Sequence, residues 1–414
     1  MSISLPINPV KRSSTKLHYF LFLLPVESLF YHLGLPVQSL WLIGVFSLLF
    51  LPLALLNFKS GRVATHVISA LAIFFTLSIA SFFYSSIMNE RSSDNSTYIV
   101  AVFRNLFALV IGFSTFLFIR HLALNIGINK IFNVVLYSFI FVSLLAFLQV
   151  ILTNDRANAY VFSEPSHLAE YISFVIFPVL MMQYQLQEKT SFKFYLLIGL
   201  SLMVFGATAS GSGAIRLICV AIGYTFFSKA RQLGFYILAL VAAFGIYLYY
   251  FAAEDNYAKL MITYTLFAFD SGAEQTASVT DRGVLFLIFD AFFSIKHFLG
   301  FGFSAEATEF NQFMPLDLVT AILDVKQNGF SLSSLAAKIL VAVGIPGLFG
   351  YFYFFWGRLI FTAHKFQAGR FVSPVLFAMC IYSTIGLPVY SDIYIWFWLG
   401  ILEAFIPKEN SRLE

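Results

Sequence analysis

A short stretch of the sequence collects side chains that could carry out acid/base chemistry on an anionic substrate. Residues 162–171 read FSEPSHLAEY, and Arg156 lies shortly before them. Glu164 and His167 could each accept a proton from a hydroxyl group, while the arginine could hold a phosphate. Pro165 also suits the first turn of a helix, so Glu164 and its neighbours can alternatively be interpreted as a helix start.

Two further arginines lie inside apolar segments, where a charged side chain is costly. Arg104 interrupts one such segment, and Arg216 follows the turn sequence 210–213, which reads SGSG. Charges within a membrane usually face a cavity, a partner or a ligand, and guanidinium groups bind phosphate oxygens in a bidentate manner. Both arginines therefore predict an anion site. Snorkelling to lipid headgroups, or an internal pair with a carboxylate such as Glu27, is the alternative.

A third segment combines cations with an apolar stretch and glycines. Arg282 precedes the apolar residues 283–295, and Lys296 follows them, shortly before Gly300 and Gly302. The glycines permit a turn or a close backbone approach. Arg282 and Lys296 could bind an anion, or they could be part of a solvated loop surface.

Metal and nucleotide motifs are missing from the sequence. It contains no DxD or HExxH motif, no cluster of His and Cys, and no glycine-rich loop followed by GK[ST]. Each of these motifs places ligands at a spacing that a metal ion or a phosphate chain requires. We therefore expect no metal site, no cofactor and no ATP-driven mechanism.

The composition excludes an ordinary soluble protein. Of the 414 residues, 59% are hydrophobic and only 11% are charged, and the mean hydropathy is +0.84. In lipid, only helices and closed barrels satisfy the backbone, and the apolar runs do not alternate as barrel strands would. No Lys/Arg-rich run indicates a nucleic-acid partner. The sequence thus predicts an all-α integral membrane protein.

The apolar segments and the charges between them predict the topology. A window of about 20 residues gives about 12 transmembrane helices in one polytopic domain (1–414), with candidate spans at 17–35, 37–56, 63–88, 99–119, 131–152, 168–186, 194–209, 214–228, 235–252, 339–357, 371–388 and 391–405. Basic residues concentrate in every second connection, which places both termini in the cytoplasm by the positive-inside rule.

Two of the predicted extracytoplasmic connections are unusual. Residues 153–167 form a medium loop, and residues 253–338 form the longest connection in the chain. The apolar stretches 260–269 and 283–295 argue against disorder in the large loop, and the second is too short to span a membrane. We expect re-entrant or interfacial helices there, with the loop folded over the bundle as a lid.

Three segments, in this order, resemble the O-antigen polymerase and ligase superfamily of bacterial envelope enzymes, which have a GT-C-like membrane fold. They read FSEPSHLAEY at 162–171, TASGSGAIR at 208–216 and RGVLFLIFDAFFSIKHFLGFG at 282–302. Downstream, the sequence GIPGL at 344–348 is similar to the pattern that opens the next span in that family. The resemblance covers most of the chain in order and topology.

The resemblance implies a glycosyltransferase that joins undecaprenyl-diphosphate-linked oligosaccharide units into a surface polysaccharide at the outer face of the bacterial inner membrane. It assigns the diphosphate to Arg156, Arg216 and Arg282, to which we add Arg104 and Lys296 from their positions. We expect Arg282 to act in catalysis, with Glu164 or His167 as the base. Lipid-linked glycans would be donor and acceptor, surrounded by membrane lipid, and a chain-length regulator would be a further partner.

Two alternatives stay open at this point. The ligase branch of the family carries a histidine about eleven residues before the GIPGL-like motif, but no histidine lies between His297 and His364, which favours a Wzy-type polymerase. A flippase or another transporter would suit the number of spans. Transporters, however, tend to bind near the midplane and to show internal repeats, whereas the charges here lie towards the outer face.

Overall fold

A computed structural model describes most of the chain, and the described residues are mostly helical. These residues are 16–27, 42–56, 61–88, 95–153, 155–186, 192–227, 231–251, 284–286, 288–309, 332, 334–366, 369–387, 390 and 392–406. No strand occurs among them. Helix is the expected outcome for segments this apolar, since it pairs every backbone group within the segment.

The helices follow the chain in the order α1 to α14. Their bounds are α1 Leu42–Leu56, α2 Arg62–Ile87, α3 Asn95–Ile126, α4 Ile128–Thr153, α5 Pro165–Tyr171, α6 Phe177–Leu186, α7 Phe192–Thr208, α8 Gly211–Phe227, α9 Arg231–Phe251, α10 Glu306–Glu309, α11 Leu335–Gly350, α12 Arg358–Lys365, α13 Ser373–Tyr382 and α14 Ile393–Phe405. A π-helical turn, Ile172–Ile176, joins α5 to α6, and another, Tyr351–Gly357, joins α11 to α12. Short 3-10 helices occupy Lys16–Leu23, Asp290–Phe293 and Gly369–Phe371.

Within the described residues, five helices are long and apolar enough to cross a membrane. They are Arg62–Ile87, Tyr98–Ile126, Ile128–Thr153, Pro165–Gln185 and Leu335–Lys365. The prediction of an α-helical membrane protein is therefore supported at this level. Other apolar helices, among them Gly211–Phe227 and Ile393–Phe405, are shorter, so the count of twelve spans stays a prediction.

The core lies where α14 packs on α3 and where α8 packs on α9 and α13. Trp398 of α14 is fully buried and donates from Nε1 to the carbonyl oxygen of Phe174, 2.6 Å away. Phe174 lies in the π-helical turn between α5 and α6, and such turns change the local hydrogen-bond pattern of a helix. This bond connects α14 to the turn between α5 and α6. Helix α5 carries two residues of the candidate site.

Helix α11 is broken at Gly344, and a second segment fills the break. Gly344 has φ 65° and ψ −164°, a conformation that side chains with a Cβ rarely adopt. Residues 298–302 run beside it, and Phe301 N donates to Val341 O (2.9 Å). Gly300, with φ 77°, lies so close to the α11 backbone that a Cβ would collide with it. The expected close backbone approach of the glycines is present here.

Part of the predicted large loop packs on α11. Its described residues include helical residues 284–286 and the 3-10 helix Asp290–Phe293. Val284, Ile288 and Phe292 are fully buried in a cluster that also contains residues of α11. These three apolar side chains are thus covered by the bundle, whereas Phe286, Phe293 and Ile295 of the same stretch are exposed.

Candidate functional site

The loop before α5 is held in place by one glutamine. Gln149 of α4 accepts at Oε1 from the backbone N–H groups of Asn158 (2.9 Å) and Ala159 (2.8 Å). Ala159 and Tyr160 have φ values of 54° and 56°, which is uncommon for residues other than glycine. The bonds to Gln149 therefore stabilise the conformation of the loop that leads into α5.

Helix α5 begins where the sequence predicts. Glu164 is the N-cap residue and Pro165 occupies the first turn, where its missing N–H costs nothing. The Glu164 side chain is exposed and accepts a hydrogen bond from Ser166 Oγ at 3.0 Å. It makes no cap hydrogen bond to the helix backbone, so its carboxylate faces the surface.

His167 and Glu27 form a hydrogen-bonded dyad. His167 Nδ1 lies 2.7 Å from Glu27 Oε2 and 3.0 Å from Ser163 Oγ. An ionised carboxylate can only accept a hydrogen bond, so its contact assigns the proton to Nδ1. In the neutral ring, Nε2 then carries the lone pair that can accept a proton. The side chain of His167 is 24% exposed, whereas that of Glu27 is 1% exposed. The dyad thus joins a buried carboxylate to an accessible imidazole.

Arg216 of α8 is buried and paired with Glu170 of α5. Its Nη2 lies 3.0 Å from Glu170 Oε2, and its Nη1 donates to the carbonyl oxygen of Ser166 at 2.8 Å. The guanidinium carbon is also 4.8 Å from the ring centroid of Tyr382, a cation–π distance. Arg216 therefore connects α5, α8 and α13 at one point.

Asp392 adds another buried carboxylate to the same region. It caps α14 by accepting from Tyr394 N at 3.1 Å, and it interacts electrostatically with Glu170 and Arg216. We call Glu27, Ser163, His167, Glu170 and Arg216, together with Asp392, the His167–Arg216 cluster. Buried ionised groups need several partners to offset lost hydration.

Three buried polar atoms of this cluster lack hydrogen-bond partners among the described residues. They are Glu27 Oε1, Glu170 Oε1 and Arg216 Nε. A buried polar atom without a hydrogen bond costs free energy. Such atoms often occur where a protein binds a ligand or carries out chemistry. The cluster therefore has unused capacity for hydrogen bonding.

The structure brings together several of the residues predicted from sequence, and it separates others. Arg156 is half-buried and donates from Nε to the carbonyl oxygen of Thr208 (3.0 Å), just before α8. Arg156, Glu164, His167 and Arg216 thus lie around the junction of α5 and α8. Arg104 and Lys296 are exposed, and neither appears among the contacts that build the cluster. Arg282 lies outside the described residues.

Arg216 forms the internal pair with a carboxylate that is the alternative to an anion site, but with a different partner from the one the sequence suggests. It pairs with Glu170, whereas Glu27 pairs with His167. Gln149 and Asp392 belong to no motif and are not among the residues predicted from the sequence. Each is a polar residue in a strongly apolar context, which is a signal that could have identified them.

Neither a metal-binding group nor a known relative assigns a function to the His167–Arg216 cluster. The part of the chain that the structure describes contains no group of three or more His, Cys, Asp or Glu side chains that could hold a metal ion. No protein-family model matches the chain, and no curated protein of known function matches its sequence.

Proposed function

We propose that this protein is a membrane glycosyltransferase that polymerises undecaprenyl-diphosphate-linked oligosaccharide units into O-antigen or a related surface polysaccharide. The observation that carries the proposal is the Glu27–His167 dyad, an accessible imidazole fixed by a buried carboxylate beside Arg156 and Arg216. A base held by an orienting group is a recurring arrangement in general-base catalysis. Transfer from a diphosphate requires the nearby positive charge.

In the proposed reaction, a hydroxyl of the acceptor sugar attacks the anomeric carbon of the donor. The new glycosidic C–O bond forms as the bond between that carbon and the diphosphate oxygen breaks. His167 Nε2 takes the hydroxyl proton, and Glu27 stabilises the resulting imidazolium. The polyprenyl diphosphate leaves as an anion, so the step is balanced without a metal or a cofactor.

The arginines have different roles in this proposal. Arg156 is half-buried beside the loop, so its guanidinium is within reach of an incoming diphosphate. Arg216 is already paired with Glu170, which offsets its charge, so its role in this proposal is to fix the start of α5 through Ser166. Arg282 retains the role in diphosphate binding and catalysis that the resemblance implies.

The proposal extends to topology and location. It places about twelve spans of a GT-C-like fold in the bacterial inner membrane, with both termini in the cytoplasm and the His167–Arg216 cluster at the outer face. The supporting observation is that the starts of α5, α8 and α14 meet in one cluster, as the alternation of basic loops predicts. A chain-length regulator is the expected protein partner.

The proposal can be tested on a gel of surface polysaccharide. A strain that lacks the gene would receive the wild type, His167→Gln or the control His121→Gln, which alters an exposed histidine on α3. We expect His167→Gln to yield glycolipid capped with a single repeat unit. Polymer should fall by about 10²–10⁴-fold, the usual contribution of a general base.

The other outcomes discriminate between the alternatives. Normal polymer from His167→Gln, at equal protein level, would contradict the assignment of the base. Complete absence of repeat units from the lipid in the strain without the gene would indicate a flippase or a ligase instead. Polymer that accumulates on the carrier would select the ligase.

A further inference from the structure

An apolar cavity lies between α2 and the π-helical turn that follows α11. It encloses about 790 Å³ of space outside the atoms, including its open mouth, and buried residues of α3, α11 and α14 form its inner wall. Ile73 of α2 and Phe354 of the turn also line the cavity, but they are 44% and 40% exposed. They therefore mark its mouth, at the surface where α2 packs against the turn.

The mouth lies between two candidate membrane-crossing helices, Arg62–Ile87 and Leu335–Lys365. In a membrane, the exposed apolar side chains of such helices face hydrocarbon, and apolar cavities do not hold water well. A lipid chain is therefore the occupant that fits the cavity itself. The chain alone does not identify the lipid, so the groups next to the mouth decide which headgroup fits.

Two exposed cations lie one to two helical turns from the cavity, on the helix faces that line it. Ala70 lines the cavity, and His66 and Arg62 precede it at intervals of four residues, a spacing that places side chains on one face of a helix. Arg358 follows Phe354 by four residues, which is about one turn. Both arginines are exposed, so a ligand can reach them, and Arg358 interacts electrostatically with His66.

Helix α12, which begins at Arg358, has the pattern of a helix at a membrane surface. It buries three apolar residues and exposes Arg358, Phe361 and Lys365, which share one face by their spacing. Arg62 lies beside the end of this helix, because its guanidinium carbon is 5.5 Å from the ring centroid of Phe366, a cation–π distance. Cations of α2 and α12 thus border the same surface.

These cations lie at the opposite end of α14 from the His167–Arg216 cluster. Val63, next to Arg62, donates from its backbone N–H to Glu403 near the end of α14 (2.9 Å), whereas Asp392 of the cluster caps the start of that helix. The alternation of basic loops predicts that this end faces the cytoplasm. An anion bound here would therefore be separate from the diphosphate of the proposed reaction.

The distance between the cations and the cavity suits a phospholipid. Arg62 precedes Ala70 by eight residues, which is about 12 Å along the helix axis at 1.5 Å per residue. One leaflet contributes about 15 Å to the hydrocarbon core of a bilayer. An acyl chain whose phosphate lies at the arginines is therefore long enough to enter the cavity.

We propose that α2, the π-helical turn and α12 form a binding site for an anionic glycerophospholipid, with an acyl chain in the apolar cavity and the headgroup phosphate on Arg62 and Arg358. Guanidinium groups bind phosphate oxygens, and Lys365 adds positive charge at the same surface. The bound lipid would hold α2 against the turn and α12. This site does not depend on the proposed function, since it involves no glycan and lies away from the cluster.

Photolabelling of the purified full-length chain in phosphatidylcholine nanodiscs tests the proposal. The probe is phosphatidylglycerol with a diazirine near the end of one acyl chain, and phosphatidylcholine with the same chains is the comparison without net charge. We expect both to label α2 and residues 347–355. Phosphatidylglycerol should label them more strongly, by about fivefold for each arginine that contacts the phosphate.

A charge variant tests the headgroup. Arg358→Gln should lower labelling by phosphatidylglycerol about fivefold, the effect of one cation near a membrane surface, and should leave labelling by phosphatidylcholine unchanged. The matched control is Lys130→Gln, which removes an exposed cation at the start of α4, on the same predicted side of the membrane. It should leave labelling by both lipids unchanged.

A glycine variant tests the cavity. Gly350 lines the cavity, and among the described residues a Cβ there would meet only Phe354, at 3.8 Å. The added side chain of Gly350→Leu therefore fills space without a clash, and labelling by both lipids should fall about tenfold if two methylene groups lose their contacts. Gly199→Leu is the control, because no described atom lies within 4 Å of a Cβ on that glycine of α7. Both substitutions replace a helical glycine, so neither should weaken folding.

Four results would overturn the proposal. Equal labelling of the wild type by the two lipids would exclude a headgroup site, and so would unchanged labelling of Arg358→Gln by phosphatidylglycerol. Labelling that persists in Gly350→Leu would indicate contact with bulk lipid only. Displacement of the label by farnesyl diphosphate, but not by unlabelled phosphatidylglycerol, would assign the site to a polyprenyl diphosphate instead.

Discussion

The two ends of α14 carry buried carboxylates with different surroundings. Asp392 and Glu403 are separated by about 16 Å along the helix axis at 1.5 Å per residue. At the second end, Glu403 Oε2 accepts from Val63 N (2.9 Å) and Ala64 N (3.1 Å), and its Oε1 lies 3.6 Å from Arg120 Nε. At the first end, the His167–Arg216 cluster includes buried oxygens without partners and a partly exposed imidazole.

On the proposed function, this difference corresponds to a structural charge at Glu403 and a functional site at the His167–Arg216 cluster. Glu403 is occupied by the first turn of α2, where a carboxylate complements the unpaired N–H groups and the helix dipole. Burial alone is therefore a poor guide to function, since Glu403 and Glu27 are both buried. Unused hydrogen-bonding capacity and access to the surface are more informative.

The largest expected effect is at Arg216. Arg216→Met leaves Glu170 buried without its partner, which typically costs about 3–5 kcal/mol. The double variant Arg216→Met/Glu170→Leu should recover most of that stability but should still make no polymer. Thermal unfolding in detergent and the polysaccharide gel would measure the two effects. A double variant that makes polymer would show that the pair is only structural, like Glu403.

Glu403→Ala should destabilise the other end of the bundle. It removes two hydrogen bonds to a charged acceptor, each worth about 1.5–3 kcal/mol. Because this end takes no part in the proposed chemistry, polymer formed per folded molecule should be unchanged. Glu403→Gln is the matched control, since its amide oxygen can still accept. A specific loss of activity in Glu403→Ala, with normal unfolding, would contradict the assignment of a purely structural role to Glu403.

Gln149→Leu should disturb the loop before α5, next to the His167–Arg216 cluster, without changing the charges there. The substitution leaves the N–H groups of Asn158 and Ala159 without their acceptor, at a cost of about 1–3 kcal/mol. We expect the loop before α5 to become more susceptible to limited proteolysis and polymer to decrease. Gln149→Glu retains both acceptor positions and should behave more like the wild type. Equal protease resistance of all three proteins would argue against the positioning role.

The smallest effects should come from the two exposed cations. Arg104→Gln and Lys296→Gln are surface substitutions, so each should change the free energy of unfolding by less than about 0.5 kcal/mol. Since neither residue contributes to the contacts that build the His167–Arg216 cluster, we also expect polymer near the wild-type level. Chemical denaturation and the polysaccharide gel provide the measurements. Reduced polymer with normal stability would extend the diphosphate site to that residue.

Sequence reasoning located the helices better than it assigned partners. Pro165 indicated the start of α5, and the apolar segments predicted the helices, because both signals are local. The pairing of His167 with Glu27, across 140 positions of the chain, has no local signal. The hydrogen bond from Asn105 Nδ2 to Glu306 Oε1, which joins α3 to α10, likewise has no local signal.

By itself, the sequence determined that the chain is helical and suited to a membrane, since segments this apolar must satisfy their own backbone groups in lipid. It also identified four residues whose side chains could take part in a reaction, namely Arg156, Glu164, His167 and Arg216. Which charges meet, and which polar atoms lack a partner among the described residues, follow from the tertiary structure alone. Packing of α3, α5, α8 and α14 sets those distances, and contacts between remote segments depend on the whole fold.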